Sequence, residues 1–290
     1  LPASNPLNIE NTPFGPLGSD RTFDVDLINN TTGAAGPDGV VDTSGAHFIN
    51  LSSLLTQRDN LRQAQSDLVV VAKSIPGISI DGDQLGDLDG SRISFVGQSL
   101  GSITGPAFLA VEPTVNVGTL NVPGGGLAQL LNCSPTFGPR IRAGLAALGV
   151  VAGTPAFDQF LGAAQQASDS GDPINWTSVT ATDRILAQLV VGNGSTVPPD
   201  QVVPVSCPGA PLSGGEPLVR NMGLASIFAT TQNAAGIRGV VRFIAGDHGS
   251  LLSTTASPAA TVEMQGEMAS MNVSGGAAVQ VTNTSVIKTQ

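Results

Sequence analysis

The fold is decided by the stretch Arg92-Ile93-Ser94-Phe95-Val96-Gly97-Gln98-Ser99-Leu100-Gly101-Ser102. Its apolar first half predicts a short buried strand, and the small residues that follow predict the start of a closely packed helix. Between the two stands the pentapeptide G-x-S-x-G, from Gly97 to Gly101. We expect both glycines to be required, because bulkier side chains would collide across a tight strand-to-helix turn.

This arrangement is the nucleophile elbow of the α/β-hydrolases, in which a strained turn lifts a serine hydroxyl above the sheet. The pentapeptide alone is a weak signal, since Gly and Ser are abundant in this chain. An ordinary strand-to-helix turn is the alternative. The elbow predicts Ser99 as the nucleophile and the backbone N–H of Leu100 as one donor of the oxyanion hole.

The length and composition limit the architectures and the binding partners that this chain can have. A chain of 290 residues can bury a large core, and we expect one domain over residues 1–290. A net charge of -10, with 12 Lys and Arg, argues against a nucleic-acid partner, because nothing supplies a basic stripe for phosphates. No apolar run reaches the roughly 18 residues of a transmembrane segment. A charged fraction of 12% is common in secreted enzymes.

Alternating strand and helix signals predict an α/β fold with a mostly parallel sheet that helices cover on both faces. Residues 1–46 are expected to form an irregular arm, and residues 127–182 a helical lid inserted between two strands. The other expected elements are strands over 22–28, 118–122, 185–191 and 239–244, and helices from Asn50 to Pro76 and over 216–235 and 258–274.

A serine nucleophile needs a base that takes its proton and an acid that orients the base. In this fold the order along the chain is serine, acid, histidine. Of the two histidines, His47 precedes Ser99, whereas His248 follows the last expected strand, where the base belongs. We therefore predict His248 as the base. A surface or core histidine without a catalytic role is the alternative.

The acid is expected at the end of the strand before the last. Asp200 follows the expected strand 185–191 by one loop, so its carboxylate can reach the ring of His248. Asp172 and Asp183, in or near the lid, are the alternatives. Asp247 is disfavoured because the side chains of neighbouring residues diverge.

The second oxyanion donor has no clear source in the chain. Gly124, Gly125 and Gly126 follow the nucleophile and lack the usual strand and histidine context, so a turn at the rim of the cleft is the alternative explanation. Gln98, Gly124 and Gly125 are our candidate substrate-binding residues.

Four acidic residues have the alternating spacing of calcium loops, in which carboxylates converge on one ion. They are Asp81, Asp83, Asp87 and Asp89, and they lack the terminal glutamate of an EF-hand. Calcium is the one candidate metal; a solvated turn is the favoured alternative. No cofactor is predicted.

The two cysteines, Cys133 and Cys207, cannot form a structural zinc site unaided. In an oxidising compartment they would close a loop of about 75 residues. We predict this disulfide because the composition is typical of extracellular proteins. Two buried free thiols are the alternative.

Several segments together resemble a group of bacterial extracellular lipases and carboxylesterases, the virulence-factor-type lipases. They are residues 45–63, 96–101, 120–126, 246–252 and 263–265. The resemblance implies an α/β-hydrolase fold, ester hydrolysis without a cofactor, and a secreted, periplasmic or surface-anchored bacterial protein. Some similar proteins cleave lipids, and some look able to cut aliphatic polyesters such as polylactide. The resemblance implies that Ser99 is the nucleophile, that His248 is the base and, on the pattern Asp-x-Val-Val-Pro, that Asp200 is the acid.

Proteins of that group have an early strand that ends in His-Gly, which this chain lacks. We therefore expect the early strands to come from a cleaved N-terminal portion of the same protein that stays associated. The predicted function is a serine carboxylester hydrolase for acyl esters, lipids or polyesters. The alternative is a catalytically inactive hydrolase-fold binding protein or a processed fragment, which a fluorophosphonate label would distinguish from the enzyme.

Overall fold

The computed structural model of the chain describes residues 24–32, 34, 36–42, 48 and 53–289. The chain divides into two compact units, Leu1–Asn60 and Leu61–Gln290. The α/β-hydrolase domain over all 290 residues stays a prediction, and the expected arm over 1–46 lies largely outside the described residues.

The expected strand over 22–28 is wrong in its described part. Residues 24–28 contain a turn at Asp24 and an isolated bridge at Ile28 with no strand between them, and residues 22 and 23 lie outside the described residues. Side-chain carboxylates satisfy the amides here: Asp26 accepts the N–H of Asp38 at 3.0 Å, and Asp42 accepts that of Leu27 at 2.7 Å. Aspartates that compete in this way for backbone amides favour turns over a strand ladder.

The helices and strands alternate along the rest of the chain. The helices are α1 (Leu54–Ser74), α2 (Leu100–Val111), α3 (Leu127–Cys133), α4 (Gly138–Ala147), α5 (Pro155–Ser168), α6 (Gly215–Asn221) and α7 (Pro258–Val273). The strands are β1 (Phe95–Gln98), β2 (Val117–Asn121), β3 (Arg184–Val190), β4 (Ala225–Ser226), β5 (Thr231–Gln232), β6 (Arg238–Phe243) and β7 (Ala278–Val279).

A five-stranded parallel sheet forms the centre, in the order β1-β2-β3-β6-β4. Strands β5 and β7 form a separate antiparallel pair. The expected α/β architecture with a mostly parallel sheet is therefore confirmed. Because parallel strands run the same way, their carboxyl ends share one edge of the sheet, and loops that follow different strands meet there.

Two apolar cores lie on opposite faces of this sheet, because successive side chains of a strand point to opposite sides. Ile185 packs with α2 residues such as Phe108, whereas its neighbour Leu186 packs with Met264 of α7. Both faces of β2 and β3 are covered, because every residue of β2 and all but the first of β3 are buried.

The later elements lie close to their expected positions, with one exception. The expected helix over 216–235 is wrong, because α6 ends at Asn221 and two short strands follow. Gly223 adopts φ +68°, a left-handed conformation that ends a helix, and the N–H of Leu224 closes the turn onto the carbonyl of Val219 at 3.1 Å. For the helix expected from Asn50, the described part begins at Leu54, and Asn50 lies outside the described residues.

The segment between β2 and β3 is helical, as expected for residues 127–182, and contains α3, α4 and α5. Asp172 is fully buried and anchors the first turn of α3, accepting the N–H groups of Gly126 at 3.0 Å and Leu127 at 2.7 Å. The predicted disulfide between Cys133 and Cys207 is confirmed. Within the described ranges, none of the helices has the combined length and apolar content that crossing a membrane requires.

Candidate active site

The predicted elbow lies at the junction of β1 and α2. Ser99 stands between them with φ 55° and ψ -117°, outside the regions that side-chain-bearing residues prefer. Neighbouring groups hold this conformation: the N–H of Ser99 donates to the carbonyl of Asn121 at 3.0 Å, and the buried Ser102 hydroxyl lies 2.8 Å from the Ser99 carbonyl. The strain presents the serine hydroxyl beyond the carboxyl end of β1.

The two glycines of the pentapeptide are not equivalent. A Cβ at Gly97 would lie 2.6 Å from the carbonyl carbon of Gly101 and 2.8 Å from the ring of Phe95. A Cβ at Gly101 would meet nothing within 4 Å. The steric requirement expected at both positions therefore exists only at Gly97, where strand and helix backbones cross most closely.

Ser99, His248 and Asp200 are brought together, although they come from three separate loops. His248 lies in the loop after β6, and its Nε2 is 2.7 Å from the hydroxyl of Ser99. Its Nδ1 is 2.7 Å from Oδ2 of Asp200, which follows β3. The other oxygen of this buried carboxylate accepts the N–H groups of Val202 at 2.7 Å and Val203 at 3.0 Å. Both carboxylate oxygens are thus engaged, and Oδ2 is fixed toward the imidazole.

The three alternative acids do not join this group. His47 lies outside the described residues. Asp172 anchors α3, and Asp247 accepts bonds from Gly249 and Ser250 within its own loop. Asp183 precedes β3, at the opposite edge of the sheet, where burial raises the pKa of its carboxyl to about 6 despite nearby Arg238.

The backbone after the serine offers a free donor at Leu100. Leu100 is the first residue of α2, so its N–H has no acceptor within the helix, and none of the described residues accepts it. Two N–H groups of the neighbouring glycine run are already engaged: that of Gly125 donates to the carbonyl of Gly214 at 3.3 Å, and that of Gly126 donates to Asp172. A Cβ at Gly124 would collide with Leu130 at 2.5 Å. These contacts give the run a packing role beside α3.

The side chain of Gln98, a candidate substrate-binding residue, contacts the loop that carries His248. Its Nε2 donates to the main-chain carbonyl of His248 at 2.8 Å. The side chain therefore joins the last residue of β1 to the loop that carries the imidazole. Nothing in the sequence pattern signals this bond, because it depends on where the loop after β6 folds back.

A buried polar chain that sequence reasoning missed lies behind the elbow. Asn121 Nδ2 donates to Gln188 Oε1 at 3.1 Å, and Gln188 Nε2 donates to Glu267 Oε2 at 2.8 Å. All three side chains have 0% exposure, and Glu267 Oε1 has no partner among the described residues. Burial, reinforced by the charge of Glu263, raises the pKa of Glu267 to about 8, although the bond from Gln188 opposes the shift.

Three of the four acidic residues of the expected calcium loop come together. Carboxylate oxygens of Asp81, Asp83 and Asp87 lie within 4.8 Å of one another, on an exposed turn. Asp89 does not join them; bonds from Ser91 and Arg92 hold the pKa of its carboxyl near 2. Each of the three also accepts a backbone amide of its own turn, as a solvated turn does.

No protein-family model matches this chain, and no curated protein matches it. The geometry of Ser99, Asp200 and His248 is therefore the ground for a functional proposal.

Proposed function

We propose that this chain is a serine carboxylester hydrolase with the α/β-hydrolase fold. One observation carries the proposal: Ser99, held at positive φ, is hydrogen-bonded to His248, which is hydrogen-bonded to buried Asp200. The residues follow the chain order serine, acid, histidine, at the carboxyl edge of a parallel sheet.

The proposed chemistry follows from the two bonds of the imidazole. Ser99 Oγ attacks the ester carbonyl carbon while its proton passes to His248 Nε2. Asp200 stabilises the imidazolium through Nδ1–H, and the Leu100 N–H donates to the oxygen on which negative charge develops. The tetrahedral intermediate collapses as the bond to the leaving alkoxide breaks, and Nε2 gives it the proton. The acyl group remains on Ser99, and no cofactor is needed.

The proposed substrate class is acyl esters, including lipids and aliphatic polyesters. The helical segment between β2 and β3 supports this choice, because the turn from α4 to α5 exposes apolar side chains such as Leu148 and Val151. Exposed apolar side chains suit an acyl chain better than a charged substrate. The disulfide suits an oxidising compartment, so we place the enzyme outside the cytosol as part of the proposal.

A fluorophosphonate probe tests the proposal, since it forms a covalent bond only with an activated serine. We expect it to modify Ser99, identified by peptide mass spectrometry, and Ser99→Ala to abolish both labelling and hydrolysis of p-nitrophenyl esters. Ser170→Ala is the matched control, because Ser170 is exposed on the segment after α5. Absence of labelling in the folded wild-type chain would favour a hydrolase-fold binding protein without catalysis.

Substrate preference needs a separate experiment. Rates for p-nitrophenyl esters of increasing acyl length, together with mass loss from a polylactide film, would measure it. Activity that falls to background beyond the shortest acyl groups would contradict the assignment to lipids and polyesters, while leaving ester hydrolysis intact.

A further inference from the structure

The base must reach the nucleophile across the sheet. In the order β1-β2-β3-β6, two strands separate the one that precedes His248 from the one that precedes Ser99. Neighbouring strands lie about 4.8 Å apart, so the loop after β6 has to cover a lateral distance of about 14 Å. Strand pairing therefore cannot by itself fix the imidazole against the serine.

Bonds inside this loop fix its shape. The N–H of Asp247 donates to the Ser250 hydroxyl at 2.7 Å, and the N–H of Gly249 donates to Asp247 Oδ1 at 2.9 Å. Both partners belong to the loop itself, so these bonds do not determine where it sits relative to β1.

Gln265 of α7 anchors the far side of the loop, because its Nε2 donates to the carbonyl of Leu251 at 2.8 Å. Three further bonds from outside the loop act on His248 itself. Two of them hold the imidazole ring, from Ser99 and Asp200. The third is the bond from Gln98 Nε2 to the His248 carbonyl at 2.8 Å. It holds the main chain, and it starts from the residue next to the nucleophile. Among the described residues, no other side chain bonds to the main chain of His248.

These three bonds respond differently to the reaction. On the proposed mechanism the acyl-enzyme carries the acyl group on Ser99 Oγ, which then has no hydrogen to donate, so the bond to Nε2 is lost. Asp200 still accepts Nδ1–H, but one bond leaves the imidazole ring free to pivot. The amide of Gln98 donates to a carbonyl, so its bond does not depend on the state of Ser99 or of the ring.

We propose that Gln98 is a positioning residue that keeps His248 in place through deacylation. This inference rests on the proposed function. In that step a water oxygen adds to the acyl carbonyl carbon while His248 Nε2 takes the water proton. The bond from that carbon to Ser99 Oγ then breaks, and Nε2 returns the proton to Oγ as the carboxylic acid leaves. Gln98 acts only through the position of His248.

The test is a pre-steady-state comparison of wild type with Gln98→Met in the full chain. Methionine keeps the length of the side chain and removes the donor. With p-nitrophenyl acetate, the burst gives the acylation rate constant, and the steady phase gives the deacylation rate constant. Losing one supporting hydrogen bond should lower deacylation about tenfold and leave acylation within about threefold. The KM should fall together with kcat, because the acyl-enzyme accumulates.

The control is Gln232→Met, since Gln232 is exposed in β5 and should leave both rate constants unchanged. Gln98→Asn keeps the amide but shortens its reach by one methylene group. Gln98→Asn should show the same deacylation defect. It takes the place of Gln98→Met if the methionine variant does not unfold cooperatively at the wild-type temperature.

Two results would overturn the role of Gln98: an unchanged deacylation rate constant, or an equal fall of both rate constants. A wild-type chain that shows neither a burst nor labelling of Ser99 would overturn the proposed function as well. If the wild-type chain shows a burst, a negative result with the Gln98 variants contradicts only the role of Gln98.

Discussion

At the scale of single residues, the two glycines around Ser99 make opposite demands. Gly97→Ala would drive a Cβ into the Gly101 backbone, so the turn must open, and we expect a lower melting temperature and loss of ester hydrolysis. Gly101→Ala meets open space on a helix, where alanine is favoured over glycine by up to about 1 kcal/mol. Thermal unfolding and kcat/KM of the two variants check this, and equal damage at both positions would contradict it.

Asp200→Asn tests the orientation of the base. The Asp200 oxygen that accepts the N–H groups of Val202 and Val203 should be matched by the asparagine oxygen, which turns the amide NH2 toward His248. Nδ1 must then accept, the ring proton moves to Nε2, and the ring can no longer take the serine proton. We expect kcat to fall on the order of 10³-fold or more with the fold intact.

The matched control is Asp158→Asn, on the exposed first turn of α5, which should leave kcat unchanged. Near wild-type turnover in the Asp200 variant would show that another carboxylate orients the base.

Sequence patterns were informative for residues whose chemistry and chain order are distinctive. Ser99 stands in a pentapeptide, and only one histidine follows it. Gln188 and Glu267 carry no such signal, because a polar residue in a strand or helix does not by itself show which side chain it contacts. Their partnership arises from the register that places Asn121 beside Gln188, and that register exists only in the folded sheet.

At the scale of elements, β2, β3 and β6 were predicted to within one residue, because their apolar residues distinguish them from the loops on either side. The segment after α6 could not be predicted in this way, because its two strands have only two residues each and show no periodic pattern. The strand predicted near residue 26 was wrong for a different reason. Apolar residues alternate there, but the carboxylate of Asp26 accepts backbone N–H groups and favours turns.

The disulfide joins the end of α3 to the loop that begins at Asp200. Hydrogen bonds make the same connection: the Ser134 hydroxyl donates to the carbonyl of Val202 at 2.7 Å, and Thr136 donates its N–H at 3.0 Å and its hydroxyl at 2.8 Å to Gln201. We therefore expect reduction to act on stability more than on catalysis. The free energy of unfolding should fall by about 4 kcal/mol, while kcat at 25 °C changes little.

Denaturant unfolding with and without dithiothreitol measures the first quantity, and esterase assays under the same conditions measure the second. Cys133→Ser with Cys207→Ser should reproduce the reduced protein. Lost turnover at a temperature where the reduced chain is still folded would show that the covalent bond itself positions Asp200.

At the scale of the whole molecule, Glu267 should make stability fall as pH rises from 4.5 to about 8. Its pKa is about 8 in the folded chain against 4.5 for the ordinary value, so the folded state binds the extra proton between these limits. Stability is then fully present below pH 4.5 and declines as pH rises through 8, by up to about 1.4 kcal/mol per pH unit. We expect Glu267→Gln to raise the melting temperature most at alkaline pH and least near pH 5.

Glu112→Gln is the matched control with the opposite sign. Bonds from Lys73 and Thr114 lower the pKa of Glu112, so its contribution is present above its ordinary pKa and is lost in acid. This variant should be destabilised at neutral pH and approach wild type as pH falls. A Glu267 variant whose melting temperature differs from wild type by the same amount at pH 5 and pH 9 would refute the titration.

The three hydrogen-bonded side chains of the candidate active site are far apart along the chain. His248 is 149 residues from Ser99 and 48 from Asp200. A ribosome adds about 5–20 residues per second, so the nucleophile is made about 7–30 s before its base. On the proposed mechanism, a nascent chain carries a serine that nothing activates until the last strand of the sheet has been synthesised. The growing polypeptide therefore has no hydrolytic activity, and a translation product truncated before the final strand would be harmless to the lipids of the cell that makes it.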